Sequence, residues 1–377
     1  MHRSFAIVAL AASGLFSSAT TASAETITVC AKGCDHTSIN AAIDASSNGD
    51  VIQLAAETYS EGSVINTDGK AITVRGATDK GGNAISILDG DGSHRVLICD
   101  NGETSATIFM DLVIQNGAGG MLNLNSSPNL SNCTFTGNHG SYGGGMHNDN
   151  SSPILANCTF TGNDATYSGG GMYNKQSGPT LTGCMFRSNT TTLSGSGMYN
   201  EASSPTLTNC TFSNNSADQY GGGMYNDHAS NPNLTDCTFL ANTIRFNEGG
   251  GMYNQAASSP ALSNCNFMFN SAGNNGGGIF SDTGSPILTN CNFCGNTDSS
   301  GSNNISGSIS GSSSGNSLLD NGCVFGDMNF DGVVNAADRT ELNTIIGICD
   351  ADVNGDGTVD GADLAYVLGY WGLCSAP

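Results

Sequence analysis

One phrase of residues returns seven times along this chain and leaves few folds open to it. It reads Pro-x-Leu, two residues, Cys-x-Phe-x-x-Asn, a polar stretch, then a glycine run ending Gly-Met-Tyr-Asn, with small variations. The cysteines that mark it are Cys133, Cys158, Cys184, Cys210, Cys237, Cys265 and Cys291, spaced 25, 26, 26, 27, 28 and 26 residues apart. A near-constant period of this length is the mark of a solenoid, in which each unit buries its apolar side on its neighbours.

The phrase also specifies how one unit is built. Pro128, Pro153, Pro179, Pro205, Pro232, Pro260 and Pro286 share one repeat position, where a missing N–H and a fixed φ suit the start of a strand. Two residues on stand Leu130, Leu155, Leu181, Leu207, Leu234, Leu262 and Leu288. A corner follows at Asn132, Asn157, Gly183, Asn209, Asp236, Asn264 and Asn290, residue types that tolerate left-handed backbone. Cys and Phe then alternate, which puts both on one face of a short strand. The phenylalanines are Phe135, Phe160, Phe186, Phe212, Phe239, Phe267 and Phe293, each followed three residues later by an asparagine, Asn138 through Asn296. After a variable polar loop the glycines open a third strand, with Met146, Met172, Met198, Met224, Met252 and Ile279 pointing in. The next residues, His147, Tyr173, Tyr199, Tyr225, Tyr253 and Phe280, then point out as an aromatic stripe. Such a stripe can stack sugar rings or a partner, but a self-stabilising ladder accounts for it without a ligand. Three short strands and three bends, repeated in register, describe a parallel β-helix whose Asn columns satisfy the corners.

Compartment and charge narrow the function. Residues 1–24 read as a secretory signal, with Arg3 at its start, an apolar stretch from Phe5, and Ala22-Ser23-Ala24 as the cleavage site. No later segment approaches the ~18 apolar residues of a spanning helix, so a secreted protein without a membrane span is expected, free or held at a cell surface. Without the signal, 9 basic residues face 32 acidic ones. That balance excludes nucleic acid as a partner, since no basic patch can neutralise phosphates. It also disfavours anionic glycans unless a divalent cation bridges them. Fourteen cysteines in an exported chain suggest disulfides. Stacked repeat cysteines would lie about 4.8 Å apart with parallel Cβ vectors, an awkward geometry for bridging; most of the seven are expected as buried thiols. Cys30–Cys34 is the better pair. Cys323, Cys349 and Cys374 leave one that bonds elsewhere, to Cys294 or Cys99, or stays free.

These repeats, over about residues 25–300, resemble the right-handed parallel β-helix, or pectin-lyase-like, superfamily. The pairing of Phe-x-x-Asn with Gly-Gly-x-Met/Ile also resembles the repeats of chlamydial polymorphic outer-membrane proteins. Ser38 to Ala45 reads as an amphipathic helix able to cap the open end, and Asp50–Leu54 and Ala71–Arg75 as early strands.

Residues 299–318, rich in Ser, Gly and Asn, read as a linker or last coil. Beyond them two loops carry oxygen donors at the first, third, fifth, ninth and twelfth positions and Gly at the sixth. The donors are Asp327, Asn329, Asp331, Asn335 and Asp338, then Asp352, Asn354, Asp356, Asp360 and Asp363, with Gly332 and Gly357 at the turns. Calcium takes six to eight oxygens, and this is the spacing of a calcium loop. The pair resembles a type I dockerin over residues 319–377. That resemblance implies a small α-helical module folded by calcium, with a cohesin-like protein as partner. The tenth and eleventh loop positions, where the family commonly has Ser/Thr, are Ala336-Ala337 and Gly361-Ala362 here.

The fold expected is therefore mainly β: a parallel β-helix over 25–298 followed by the calcium-binding module. Catalytic residues are harder to find. Asp89 and Asp91 lie close in sequence, yet their flanking glycines mark them as turn residues. Asn66-Thr67-Asp68 matches only a fragment of a polygalacturonase signature. Arg187 and Arg245 stand at unrelated offsets, and the histidines lack metal-ligand spacing. The chain reads as a secreted, non-catalytic β-helix for surface attachment or extracellular assembly, docking through its calcium module. The alternatives are a tethered polysaccharide lyase or glycosidase, and a module that binds a polysaccharide or cell-surface glycan without turnover.

Overall fold

The computed structural model describes residues 24–302, 304–310 and 313–319. The expected signal peptide up to Ser23 and the calcium-type module after Leu319 lie outside the described residues. So do all ten ligand side chains and Cys323, Cys349 and Cys374.

Three parallel sheets run the length of a solenoid, and each turn of chain adds one short strand to each. The proline sheet has 11 strands, from Thr26–Val29 to Ile287–Thr289. The phenylalanine sheet has 11, from Thr58–Tyr59 to Ser317–Leu319, and the methionine sheet 10, from Ile65–Asn66 to Ile305–Gly307. Pairing joins equivalent residues one turn apart: Leu181 with Leu207, Phe186 with Phe212, Met198 with Met224. The expected corner residues all adopt left-handed backbone, from Asn132 at φ 50° to Gly183 at φ 63°. A second left-handed column, Gly137, Gly162, Ser188, Asn214, Ala241, Phe269 and Gly295, precedes the repeat asparagines.

One end is closed by the helix α1, Ile39–Ala45, which buries Ile39, Ala42 and Ile43 against the first strands. Ser38 caps it by accepting from the Ala41 N–H, and Glu61 accepts from the N–H groups of Ile39 and Asn40. At its other end the Lys70 ammonium donates to the carbonyls of Ile43, Asp44 and Ser46, as suits the negative pole of a helix. At the far end the described part of the Ser/Gly-rich stretch carries strands. Ile305–Gly307 pairs with Ile279–Ser281, and Ser317–Leu319 with Asn292–Cys294.

The loop read as merely polar holds a fourth, five-stranded sheet, from His139–Tyr142 to Thr243–Ile244. Its anchor is one small or apolar inward residue per turn, among them Ala165, Ala217 and Ile244. A single such position per strand gives no alternation to read.

Inside, equivalent side chains form columns. The seven phenylalanine rings stack with centroids 4.6–4.9 Å apart and planes within 7°. The seven cysteines are buried free thiols, each donating to the carbonyl two residues before it. Contact with neighbouring thiols, together with burial, holds Cys184 above the usual thiol range. Cys30 and Cys34 are bonded to each other, as expected.

The buried asparagines carry the polar side of the core. Asn189 Nδ2 donates to Phe160 O and to Asn215 Oδ1, both at 2.9 Å, and Asn215 Oδ1 also accepts the Asn189 backbone N–H at 3.1 Å. Both donors and both acceptor sites of each amide are thereby used. A second column runs from Asn123 through Asn254 to Ser281, with N···O distances of 2.8–3.1 Å. It begins over Cys99, which pairs with Asn123 in register, and Asn123 Oδ1 is accordingly left without a donor. A third column, Ser126 to Ser258, links each backbone N–H to the next serine hydroxyl.

Replacing Asn215 by Ala strands the Asn189 N–H and takes a donor from Phe186 O. We expect a loss of about 2–4 kcal/mol, at about 1–3 per stranded group. Ser216→Ala on the exposed surface should stay within about 0.5 kcal/mol. Chemical denaturation of the two variants checks this, and equal midpoints would remove the ladder from the account.

Candidate binding surface

On the outer face of the methionine sheet the residue after each inward methionine forms the expected column. His147, Tyr173, Tyr199, Tyr225, Tyr253 and Phe280 pair in register. From Tyr173 to Phe280 the rings stack at 4.8–5.2 Å. Three of the hydroxyls find a partner one turn on: Tyr173 donates to Glu201, Tyr199 to Asp227 at 3.2 Å, and Tyr225 to Gln255. Burial, with these acids beside it, raises the pKa of Tyr173 and Tyr199 above the usual phenol range.

The column is nevertheless not an open stripe. Tyr173, Tyr225 and Tyr253 are only 5–6% exposed. The preceding loop folds over them. Gly169, at φ 71°, lies so close that a Cβ there would stand 2.8 Å from Tyr173 Cβ. Tyr142 packs on Tyr173 at 5.0 Å and Tyr220 on Tyr253 at 4.8 Å. Of the two readings of this stripe, the self-stabilising ladder is the one the packing bears out.

The exposed aromatic row lies one loop earlier. Tyr142, Tyr167, Leu193 and Phe246 are 40, 45, 37 and 53% exposed. Tyr167 and Leu193 lie on adjacent turns, where Leu193 N donates to Tyr167 O; Gln219 holds the same place on the next turn, its N–H donating to Leu193 O, and Phe246 follows on the turn after that, donating to Asp218 O. Tyr142 and Tyr167 are 5.2 Å apart, and the Arg245 guanidinium lies over Phe246 at 4.7 Å. The signal for this row was present in the sequence: an aromatic or Leu stands one to three residues before the glycine runs that lead to Met146, Met172, Met198, Met224 and Met252. Aligned apolar side chains left in water mark an interaction surface.

The other sequence candidates are held by turns. Asp89 accepts from the Asp91 N–H at 2.8 Å, Gln115 Nε2 at 2.8 Å and Asn116 Nδ2 at 3.0 Å. Burial opposes ionisation of Asp89, but these bonds outweigh it and lower its pKa. Asp91, at φ 51°, accepts from Ser60. Asp68 also has positive φ, and its N–H donates to Asn66 Oδ1. Among the described residues no group of three or more His, Cys, Asp or Glu is placed to hold a metal, and no helix is long and apolar enough to cross a membrane.

His147 takes the tyrosine position at the start of the aromatic column, and its Nε2 is buried without a partner. Burial, then the nearby Arg95, pushes its pKa down from 6.5 to about 4. The folded state thus holds a neutral imidazole that the unfolded chain protonates. Stability is lost as pH falls from about 6.5 towards 4. His147→Tyr, which restores the repeat, should flatten that decline in denaturation midpoints, and an unchanged pH profile would exclude His147 as its source.

A family model agrees with this architecture. The family model described as "Right handed beta helix region" matches residues 63–239. No curated protein matches the chain. Among solved structures, pectate lyase Pel9A is similar at 14% identity and TM-score 0.47, over 81% of this chain and 82% of that one. The deglycosylated pectin methylesterase from Aspergillus niger is similar at 13% identity and TM-score 0.42, over 84% and 95%. The chain folds as a right-handed parallel β-helix solenoid.

Proposed function

We propose that this chain is a secreted, non-catalytic β-helix that attaches to a polysaccharide surface or builds an extracellular assembly. The observation that carries the reading is the exposed row Tyr142, Tyr167, Leu193 and Phe246. Hydrogen-bonded loops hold Tyr167, Leu193 and Phe246 along one edge, with Gln219 between the last two and Tyr142 beside Tyr167, so little conformational entropy is lost when an extended polymer lies along them. Aromatic faces suit the apolar faces of sugar rings. The formal charge of −22 favours a neutral glycan, or an anionic one bridged by cations. The acids Asp89 and Asp91 support a non-catalytic role, because Asp89 holds a turn in which Asp91 takes the left-handed position.

The second contact in this reading is the dockerin-like tail. Asp327, Asn329, Asp331, Asn335 and Asp338, with Asp352, Asn354, Asp356, Asp360 and Asp363, would hold calcium. Their hard oxygen donors fit that ion. Calcium would relieve the repulsion among clustered carboxylates and present a helical face to a cohesin-like protein.

Two measurements test the proposal. Tyr167→Ala with Phe246→Ala should weaken retention on insoluble plant or microbial polysaccharide about tenfold, the loss of roughly one hot-spot residue. Unchanged retention, or steady release of sugar products, would overturn the attachment reading. Calorimetric titration of the whole chain should show calcium uptake that Asp327→Ala with Asp352→Ala removes. No uptake would remove the docking module.

A further inference from the structure

Among the places where the seven repeats depart from their pattern, two nearby positions fall in one turn. At the corner between the proline and phenylalanine sheets every other turn carries Asn or Asp; the third carries Gly183. Two residues later the other turns carry Thr or Asn, and the third carries Met185. A cavity of about 360 Å³ lies over this break and runs across neighbouring turns from Asn157 to Asn264.

Its form follows from the missing side chain. A Cβ at Gly183 would stand 2.6 Å from Asn157 Oδ1, so the Asn157 amide reaches into the space that the column leaves. Further along the lining, Asn264 Nδ2 donates to Asp236 Oδ1 at 3.0 Å. Met185, half-buried on the outer face of its strand, supplies the apolar part of the lining. The amides of Asn157 and Asn209, the Thr211 hydroxyl and the Asp236 carboxylate make polar walls. The lining is mainly polar, with Met185 its one accessible apolar side chain, which suits a hydroxyl-rich ligand rather than an apolar one. The one charge on its lining is negative, and no cation lines it. A carboxylate or phosphate is therefore repelled, while a neutral ring with one apolar face and several hydroxyls meets a partner on every side.

We propose that this corner groove binds a pyranose unit of a neutral glycan, at a site separate from the exposed aromatic row. Neighbouring turns extend the same walls, so a chain of such units can lie along the axis. The rod would then grip glycan on two faces.

The decisive variant is Gly183→Asn. It installs the residue the other corners use, at a φ of +63° that Asn tolerates, so the fold is kept while the gap is filled. The probes are cellohexaose, xylohexaose and mannohexaose, with hexagalacturonate as the anionic comparison, titrated against the full chain by calorimetry. At least one neutral hexaose should bind. Gly183→Asn should weaken it at least tenfold, and Met185→Thr severalfold. Tyr167→Ala with Phe246→Ala should leave it unchanged, which separates this groove from the attachment reading. Binding of no neutral hexaose, equal binding of hexagalacturonate, or affinity untouched by Gly183→Asn would each overturn the proposal. Affinity lost only in the aromatic variants would move the ligand to the other face.

Discussion

Everything in this fold depends on one constraint: each residue lies one strand spacing from its equivalent in the next turn. The phenylalanine stack, at 4.6–4.9 Å, measures that spacing directly. Because side chains alternate between faces, a slip of one residue would turn every Phe and Met outward. Hydrophobic burial alone opposes such a slip only gradually. The asparagine columns oppose it sharply, since each buried amide gives and accepts bonds through its own copy above and below. A shifted turn would leave several such groups unsatisfied at once, at about 1–3 kcal/mol each.

The columns divide the work. Phe, Leu, Cys and Met fill the interior and supply the burial energy. Asn and Ser columns satisfy the backbone where the chain bends and hydrogen bonds between strands stop. The bends themselves are held by left-handed residues, some of them strained types such as Ala202, Ala241 and Phe269. These cost about 1–2 kcal/mol each in isolation, and they persist because the columns on either side over-determine their position.

What the repeat period says about the chain is what self-stacking enforces. The inward Leu, Cys, Phe, Met and Asn positions were legible because each must match its own copy. So were the corners, where only a few residue types fit, and the helix that Ser38 caps. Three things were not legible. The fourth sheet rests on single small residues such as Ala165 and Ala217, too sparse to show a period. The serine column looked like ordinary loop composition. The fate of the tyrosine row turned on a loop whose length varies between turns: the side chains do point outward from the sheet, but Tyr142 and Tyr220 fold back over them. Alternation reports which face of a strand a residue occupies, and it is silent on whether a neighbouring loop covers that face.

A solenoid of this kind therefore carries information chiefly where it stops repeating. A column is self-complementary, so any exception costs the contacts of two neighbours. Cys99 at the foot of the second asparagine column leaves Asn123 Oδ1 without a donor, and His147 at the foot of the tyrosine column leaves its own Nε2 unpaired. Both stand at the end of a column, where the first full repeat meets less regular turns and some mismatch is geometric. Gly183 and Met185 stand in the middle, with conforming turns on both sides. Nothing about the end of the stack accounts for them. Gly183 interrupts the corner column between Asn157 and Asn209, and Met185 gives up a hydroxyl on a face that is otherwise polar. Gly183 fits its left-handed corner as well as Asn does, so the missing side chain beside Met185, and not the backbone, sets this turn apart. The same spacing that makes the rod uniform thus makes this notch stand out as a place shaped for something other than the chain itself.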